Sequence, residues 1–221
     1  MKNPITNSFL SLLMTISFVH AQQDKAMDNE NYVEFNDRNN VVHGVYLGLT
    51  TEFGEINGKN TYIGGLKIAY VANRQFEVGF AGKFLYSQQD VFNRSSFLTE
   101  DLIGVYGGLH MEPIFFSKSR INLSFPLLVG AGAVGFVDHD FDDEYITEDE
   151  LDVIFVVEPG ASLLFNISRY LQLEAGIKYR FSSKIDLTPP SDLRHIDGFS
   201  GGLGIKVGIF NMGKNRYKKN I

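Results

Sequence analysis

The sequence predicts an all-β chain: an eight-stranded antiparallel up-and-down barrel that spans a membrane, with short turns at one end and long loops at the other. Three observations carry this. Apolar and polar residues alternate with a period of two through eight separate segments. The joins between those segments alternate short and long. One face of the alternation is rich in Gly and in charges of both signs, and the other in Phe, Tyr and aliphatic residues.

The stretch from Tyr170 to Phe181 shows the pattern most clearly. Leu171, Leu173, Ala175, Ile177, Tyr179 and Phe181 fall on one face, and Tyr170, Gln172, Glu174, Gly176, Lys178 and Arg180 on the other. A strand sends successive side chains to opposite faces, so this is one apolar and one polar face. A helix would need apolar residues at i, i+3 and i+4, which this stretch does not supply.

Taken in order, the first segment covers about 42–53, with Val45, Leu47 and Leu49 opposite Tyr46, Gly48, Thr50 and Glu52. The second, 61–71, sets Tyr62, Leu66, Ile68 and Tyr70 against Gly65, Lys67 and Ala69. The third, 75–87, sets Phe76, Val78, Phe80, Phe84 and Tyr86 against Glu77, Gly79, Ala81 and Lys83. In the fourth, 98–115, Val105, Leu109 and Met111 oppose Tyr106, Gly108, His110 and Glu112. The fifth, 120–137, separates Ile121, Leu123, Phe125, Leu127 and Val129 from Arg120, Asn122, Ser124, Gly130 and Gly132. In the sixth, 151–165, Val153, Phe155, Val157, Leu163 and Phe165 oppose Glu158, Gly160 and Ser162. The seventh is the stretch above. The eighth, 198–210, sets Leu203, Ile205, Val207 and Ile209 against Ser200, Gly202, Gly204, Lys206 and Gly208.

Three joins are short and built of Asn, Ser and charge: 72–74, 116–119 and 166–169. The other four, 54–60, 88–97, 138–150 and 182–197 (which holds Pro189 and Pro190), are expected to be long loops. Short turns on the periplasmic side and long polar loops outside the cell are the arrangement of outer-membrane barrels. Tyr62, Tyr70, Phe76, Tyr86, Phe165, Tyr179 and Phe181 sit near segment ends, where interfacial aromatic girdles belong.

Composition fits this reading. A mean hydropathy of −0.06 is too low for helical spans, whereas alternation dilutes the apolar signal of membrane strands. The chain has no Cys, so it forms no disulfide and lacks the residue that carries a lipoprotein anchor. Its net charge of −6 argues against nucleic acid as a partner. Residues 1–21 read as a cleaved signal peptide: Lys2 opens it, Phe9 to Val19 is its apolar core, and Val19-His20-Ala21 is the cleavage site. Residues 22–40 read as a polar leader, 41–212 as the barrel, and 213–221 as a short basic tail.

The polar face is expected to line the interior. Its ionisable members are Glu52, Lys67, Glu77, Lys83, His110, Glu112, Arg120, Glu158, Glu174, Lys178, Arg180 and Lys206. An eight-stranded barrel is just wide enough for side chains to fill, so charges inside must pair. An unpaired buried ion would cost several kcal/mol. A soluble, lipocalin-like carrier would reverse the faces, with the aromatics at the centre and the lysines in water. The number of large aromatics and the length of the strands weigh against that alternative.

At this point the chain resembles the small outer-membrane β-barrels of Gram-negative bacteria, the OmpA/OmpX-like group, over about residues 41–212. Strand count, loop asymmetry and a charge-paired interior carry the resemblance. It implies residence in the outer membrane among lipid and lipopolysaccharide, and insertion by the barrel-assembly machinery. Such barrels commonly finish on an aromatic residue; Phe210 stands at that position here, followed by eleven residues. An OmpA-like peptidoglycan-binding domain is not expected.

Two features suggest chemistry. Asp138, Asp140 and Asp142 have the spacing that gathers three carboxylates about a hard cation, and Asp149 stands at the twelfth position of that loop, where an EF-hand has Glu. Asp143 replaces the glycine such a loop needs, so the expectation is weak Ca²⁺ or Mg²⁺ binding by a crowded acidic loop, and no other cofactor. His110 and Glu112 share one face, one pleat apart, but no Ser stands where a lipid-modifying enzyme would need one. Membership of the interior ion pairs is the expected role of both. Gly201, Gly202 and Gly204 continue into a strand and so do not form a phosphate loop. The expected function is that of a structural or interaction protein serving envelope integrity, adhesion or recognition through its loops, and not an enzyme. A narrow porin-like passage for small solutes is the alternative of a different class.

Overall fold

Alternation of two chemistries along every strand gives the sheet one apolar and one polar face, and closing the sheet puts one of them inside and the other outside. The computed structural model, which describes residues 42–92, 99–117, 119–138, 151–187 and 193–212, shows that closure. The strands are β1 (His43–Ile56), β2 (Lys59–Ala72), β3 (Phe76–Phe92), β4 (Thr99–Phe115), β5 (Ile121–Ser124), β6 (Leu127–Asp138), β7 (Asp152–Asn166), β8 (Leu171–Ser182) and β9 (Gly198–Met212). Every pairing is antiparallel and, with β5 and β6 taken as one stave, joins chain neighbours; β1 also pairs with β9, with Val45 opposite Ile209 and Gly54 opposite Ser200. The sheet therefore returns on itself without an edge.

β5 and β6 are the two parts of the expected fifth strand. Both hold one register against β4 and β7, so the barrel still has eight staves. The interruption falls at Phe125 and Pro126, where proline has no N–H to give the ladder.

The outer wall is apolar. Leu47, Leu66, Phe80, Val105, Phe155 and Leu203 are each 59–69% exposed. They belong to a belt running round the whole barrel, far beyond the few hundred Å² a soluble monomer leaves uncovered. Apart from the split stave, strands of 12–17 residues exceed the ~9–11 that a tilted strand needs to cross a bilayer. The protein is thus a transmembrane β-barrel, and the lipocalin-like reading, which needs the reverse packing, is excluded.

The turns at one end are short, as expected. Asn73 and Arg74 adopt φ of 50° and 59°, and the Gln75 N–H donates to Ala72 O at 2.9 Å to close the β2–β3 turn. The other end differs from expectation in three places. The expected loop at 88–97 is partly strand, since β3 runs on to Phe92, opposite Thr99. The join at 54–60 is not a long loop: β1 and β2 pair up to Ile56 and Lys59, leaving a two-residue turn. Asn57 and Gly58 take φ of 51° and 74°, the left-handed pair that twisted hairpins favour. The β8–β9 connection is long but does not simply project outward. Its described parts, 183–187 and 193–197, fold back into the barrel mouth and bury Ile185, Leu187, Leu193 and Ile196. The acidic loop falls largely outside the described residues: Asp138 closes β6, while Asp140, Asp142 and Asp149 are not among them.

Candidate functional site

The interior is layered. Towards the turn end, Tyr46 stacks on Phe210 with ring centroids 5.6 Å apart, and Ala69 and Val71 pack beside them. A polar network lies at the same end, where Gln172 donates to Asn166 Oδ1 (2.7 Å) and Asn166 donates to Asn122 Oδ1 (2.6 Å). Charges fill the middle. The loop end is an apolar core of Ile56, Ile63, Leu85, Leu102, Ile154 and Val156 with their neighbours, closed by the four residues of the β8–β9 connection.

Strand parity puts the charges inside, and the register decides which of them meet. Two clusters result. Nearer the turns, Lys206 Nζ lies between Glu77 Oε2 (2.9 Å) and Glu112 Oε2 (3.0 Å). Tyr46 donates to Glu77 at 2.5 Å, and the Lys206 ammonium sits 5.1 Å from the Tyr46 ring centroid. Lys67 pairs with Glu174 at 2.5 Å and stands 3.6 Å from Glu112. His110 Nε2 is 3.1 Å from Glu112 Oε2.

In the second cluster, Lys83 donates to both oxygens of Glu52 (2.8 and 2.9 Å) and to Glu158. Lys178 reaches Glu52 at 2.7 Å and Glu174 at 3.8 Å, which ties the clusters together. Tyr106 donates to Glu158 at 2.7 Å. Arg180 lies against Tyr106 and donates through Nε to Ile196 O at 2.7 Å. Glycine makes the long side chains fit. A Cβ at Gly48 would meet Lys67 Cγ at 2.7 Å, and one at Gly160 would meet Lys178 Cγ at 2.7 Å.

Eleven of the twelve ionisable residues expected inside are placed there, and Arg120 is not. It precedes β5 at the turn end and is exposed, because the strand pattern begins one residue later, at Ile121. Within the barrel, Glu52, Glu77, Glu112, Glu158 and Glu174 face Lys67, Lys83, Lys178, Arg180 and Lys206, so the charges balance. Glu77, His110 and Glu112 could offer a cation three ligand atoms within 4.8 Å of one another, and Oε1 of each glutamate accepts no hydrogen bond. Lys206 already supplies the cation between these carboxylates, and a divalent ion would upset a count that closes without it. The space left among these side chains is small. A cavity of about 20 Å³, room for about one water, lies among Lys67, Lys83, His110, Pro126, Glu158 and Lys178.

Sequence reasoning missed the apolar upper core. Its wall residues stand on the same parity as the charges, a pleat or two further along each strand, so extending the parity to the strand ends would have found them. The burial of Ile185, Leu187, Leu193 and Ile196 carries no such periodic signal.

No family model matches the chain, and no curated protein matches it. Solved structures of similar fold include Neisserial surface protein A (11% identity, TM-score 0.47, covering 75% of this chain and 96% of that one). The N-terminal β-barrel domain of Pseudomonas aeruginosa OprF is another (12%, 0.46, 75% and 97%). A third is Ail, the attachment invasion locus protein of Yersinia pestis, solved with the heparin analogue sucrose octasulfate (18%, 0.41, 77% and 98%). The outer membrane enzyme PagL is also similar (11%, 0.41, 72% and 98%). All are small outer-membrane β-barrel proteins, and the similarity is one of fold.

Proposed function

We propose that this chain is an outer-membrane barrel that acts as a structural or interaction protein, with its loops outside the cell and its turns in the periplasm. The observation that carries the reading is the filling of the interior. Paired charges occupy the middle and an apolar core with four inward residues of the β8–β9 connection closes the loop end. A barrel filled in this way offers solutes no wide axial path, which leaves its outer surface and loops to do the work. Recognition, adhesion and envelope integrity are the roles open to such a surface, among lipid and lipopolysaccharide. The acidic loop from Asp138 is the part we expect to attract Ca²⁺ or Mg²⁺ there.

We read the protein as non-enzymatic because its buried histidine serves the ion pairs. His110 is 4% exposed, with Glu112 on its ring nitrogen. Residues 1–21 act in this reading as a signal removed on export, and the assembly machinery inserts the mature barrel. Purified protein in planar bilayers tests the filled-barrel reading. Membranes should stay electrically silent when heat-modifiable migration on a semi-native gel shows the barrel folded. Steady open-channel currents would replace this reading with the narrow-passage one.

A further inference from the structure

Three of the six prolines in the chain stand side by side in the barrel wall. Pro113 is on β4, Pro126 lies between β5 and β6, and Pro159 is on β7. Proline in a sheet belongs at edges and bulges because it cannot donate to the ladder, and a closed barrel has no edge. Pairing is interrupted at three successive interfaces as a result. The β4 register passes from Met111 opposite Leu127 to Ile114 opposite Ser124 with nothing between. That against β7 passes from Leu127 opposite Pro159 to Ser124 opposite Ser162. Between β7 and β8 it skips from Val157 opposite Phe181 to Gly160 opposite Lys178.

At the first two of these interfaces half of the bonding survives. Phe125 N–H donates to Pro113 O at 3.1 Å, and Gly160 N–H to Pro126 O at 2.8 Å. The return bonds, to the carbonyls of Phe125 and Gly160, have no hydrogen to form them. The β9–β1–β2 wall keeps its pairing unbroken from Val45 to Gly54.

The small cavity meets this row at Pro126, with Leu128, His110, Glu158 and Lys178 also on its wall and β1–β3 residues such as Thr50, Lys67 and Lys83 on its other side. These polar groups are what a buried water needs. The apolar core and the Tyr46–Phe210 pad stand between that space and the two ends of the barrel.

We propose that the proline row is a seam at which the barrel wall opens locally. Local opening follows the weakest backbone bonding. The seam concentrates the missing bonds on three adjoining interfaces.

Hydrogen exchange read by mass spectrometry on the folded barrel in nanodiscs tests this. Amides in 110–128 and 157–163 should exchange about five- to tenfold faster than those of β1 and β9 at equal depth, the worth of one lost backbone hydrogen bond. Pro126→Ala restores a donor to the Gly160 carbonyl and should slow exchange at the seam while leaving β1 and β9 unchanged. Should Pro126→Ala fail to fold, Pro159→Ala carries the same expectation for the β7–β8 interface. Uniform protection around the barrel, or a folded alanine variant that leaves seam exchange untouched, would overturn the proposal.

Discussion

Two halves of one cylinder, enclosed by the same strands, are filled in opposite ways. The half nearer the turns holds ion pairs such as Lys206 with Glu77 and Glu112, and the half nearer the loops holds Leu102, Ile154, Val156 and their neighbours. Both sets stand on the inward parity. The ionic half is enclosed by wall residues alone, so long Lys and Glu side chains, with Gly opposite them, must reach across it. The apolar half receives a second layer from the β8–β9 connection, and side chains from two directions close the space without charge. Apolar filling is non-directional and tolerates imprecision. Ionic filling depends on each partner staying in place.

The sharpest way to break the ionic half is to remove one cation that serves two anions. Lys206→Met strips Glu77 of its ion-pair partner and leaves Glu112 only Lys67 at 3.6 Å, both in a buried site, and should lower stability by about 3–5 kcal/mol. Glu174→Leu should cost less, because Lys67 still has Glu112 at 3.6 Å and Lys178 still has Glu52 at 2.7 Å. Urea unfolding in lipid measures both. Equal midpoints for the two variants, or no shift for either, would mean that the pairs do not act as a network.

The apolar half should give smaller and more graded losses. Leu102→Ala removes a fully buried wall residue and should cost about 2–4 kcal/mol by the same titration. Ile196→Ala should cost less, since the connection that carries it can settle into the gap. If Ile196→Ala proved the costlier of the two, the connection and not the wall would be what organises this core.

That ranking follows how the two halves could be read from sequence. Period-two alternation needs no tertiary information, so the strands, their faces and the charges on them were legible along the chain. Arg120 shows the limit: it has the right parity, but β5 starts one residue after it. The split at Pro126 and the tight Asn57-Gly58 turn were legible in principle, since both rest on local backbone chemistry. What could not be read is anything set by contacts distant in sequence. No spacing says that Lys206 will choose Glu77, 129 positions away, or that Ile196 will turn inward. These are decided by barrel register and by which space remains to be filled.

The smallest expected effect lies where the halves join. Arg180 is fully buried at the top of the ionic half, against Tyr106, and its Nε donates to the Ile196 carbonyl on the connection that closes the apolar half. Arg180→Lys keeps the charge and loses the planar fork that makes both contacts, a change of about 1 kcal/mol. Folded-barrel migration and the urea midpoint should hardly move. Local opening of the connection should rise about fivefold, and trypsin, which cleaves after Lys184 and Arg194 there, reads it as a faster nick. Arg180→Lys cleaved no faster than the parent would mean that four apolar side chains hold the connection unaided. The ionic half would then have no part in keeping the barrel mouth shut.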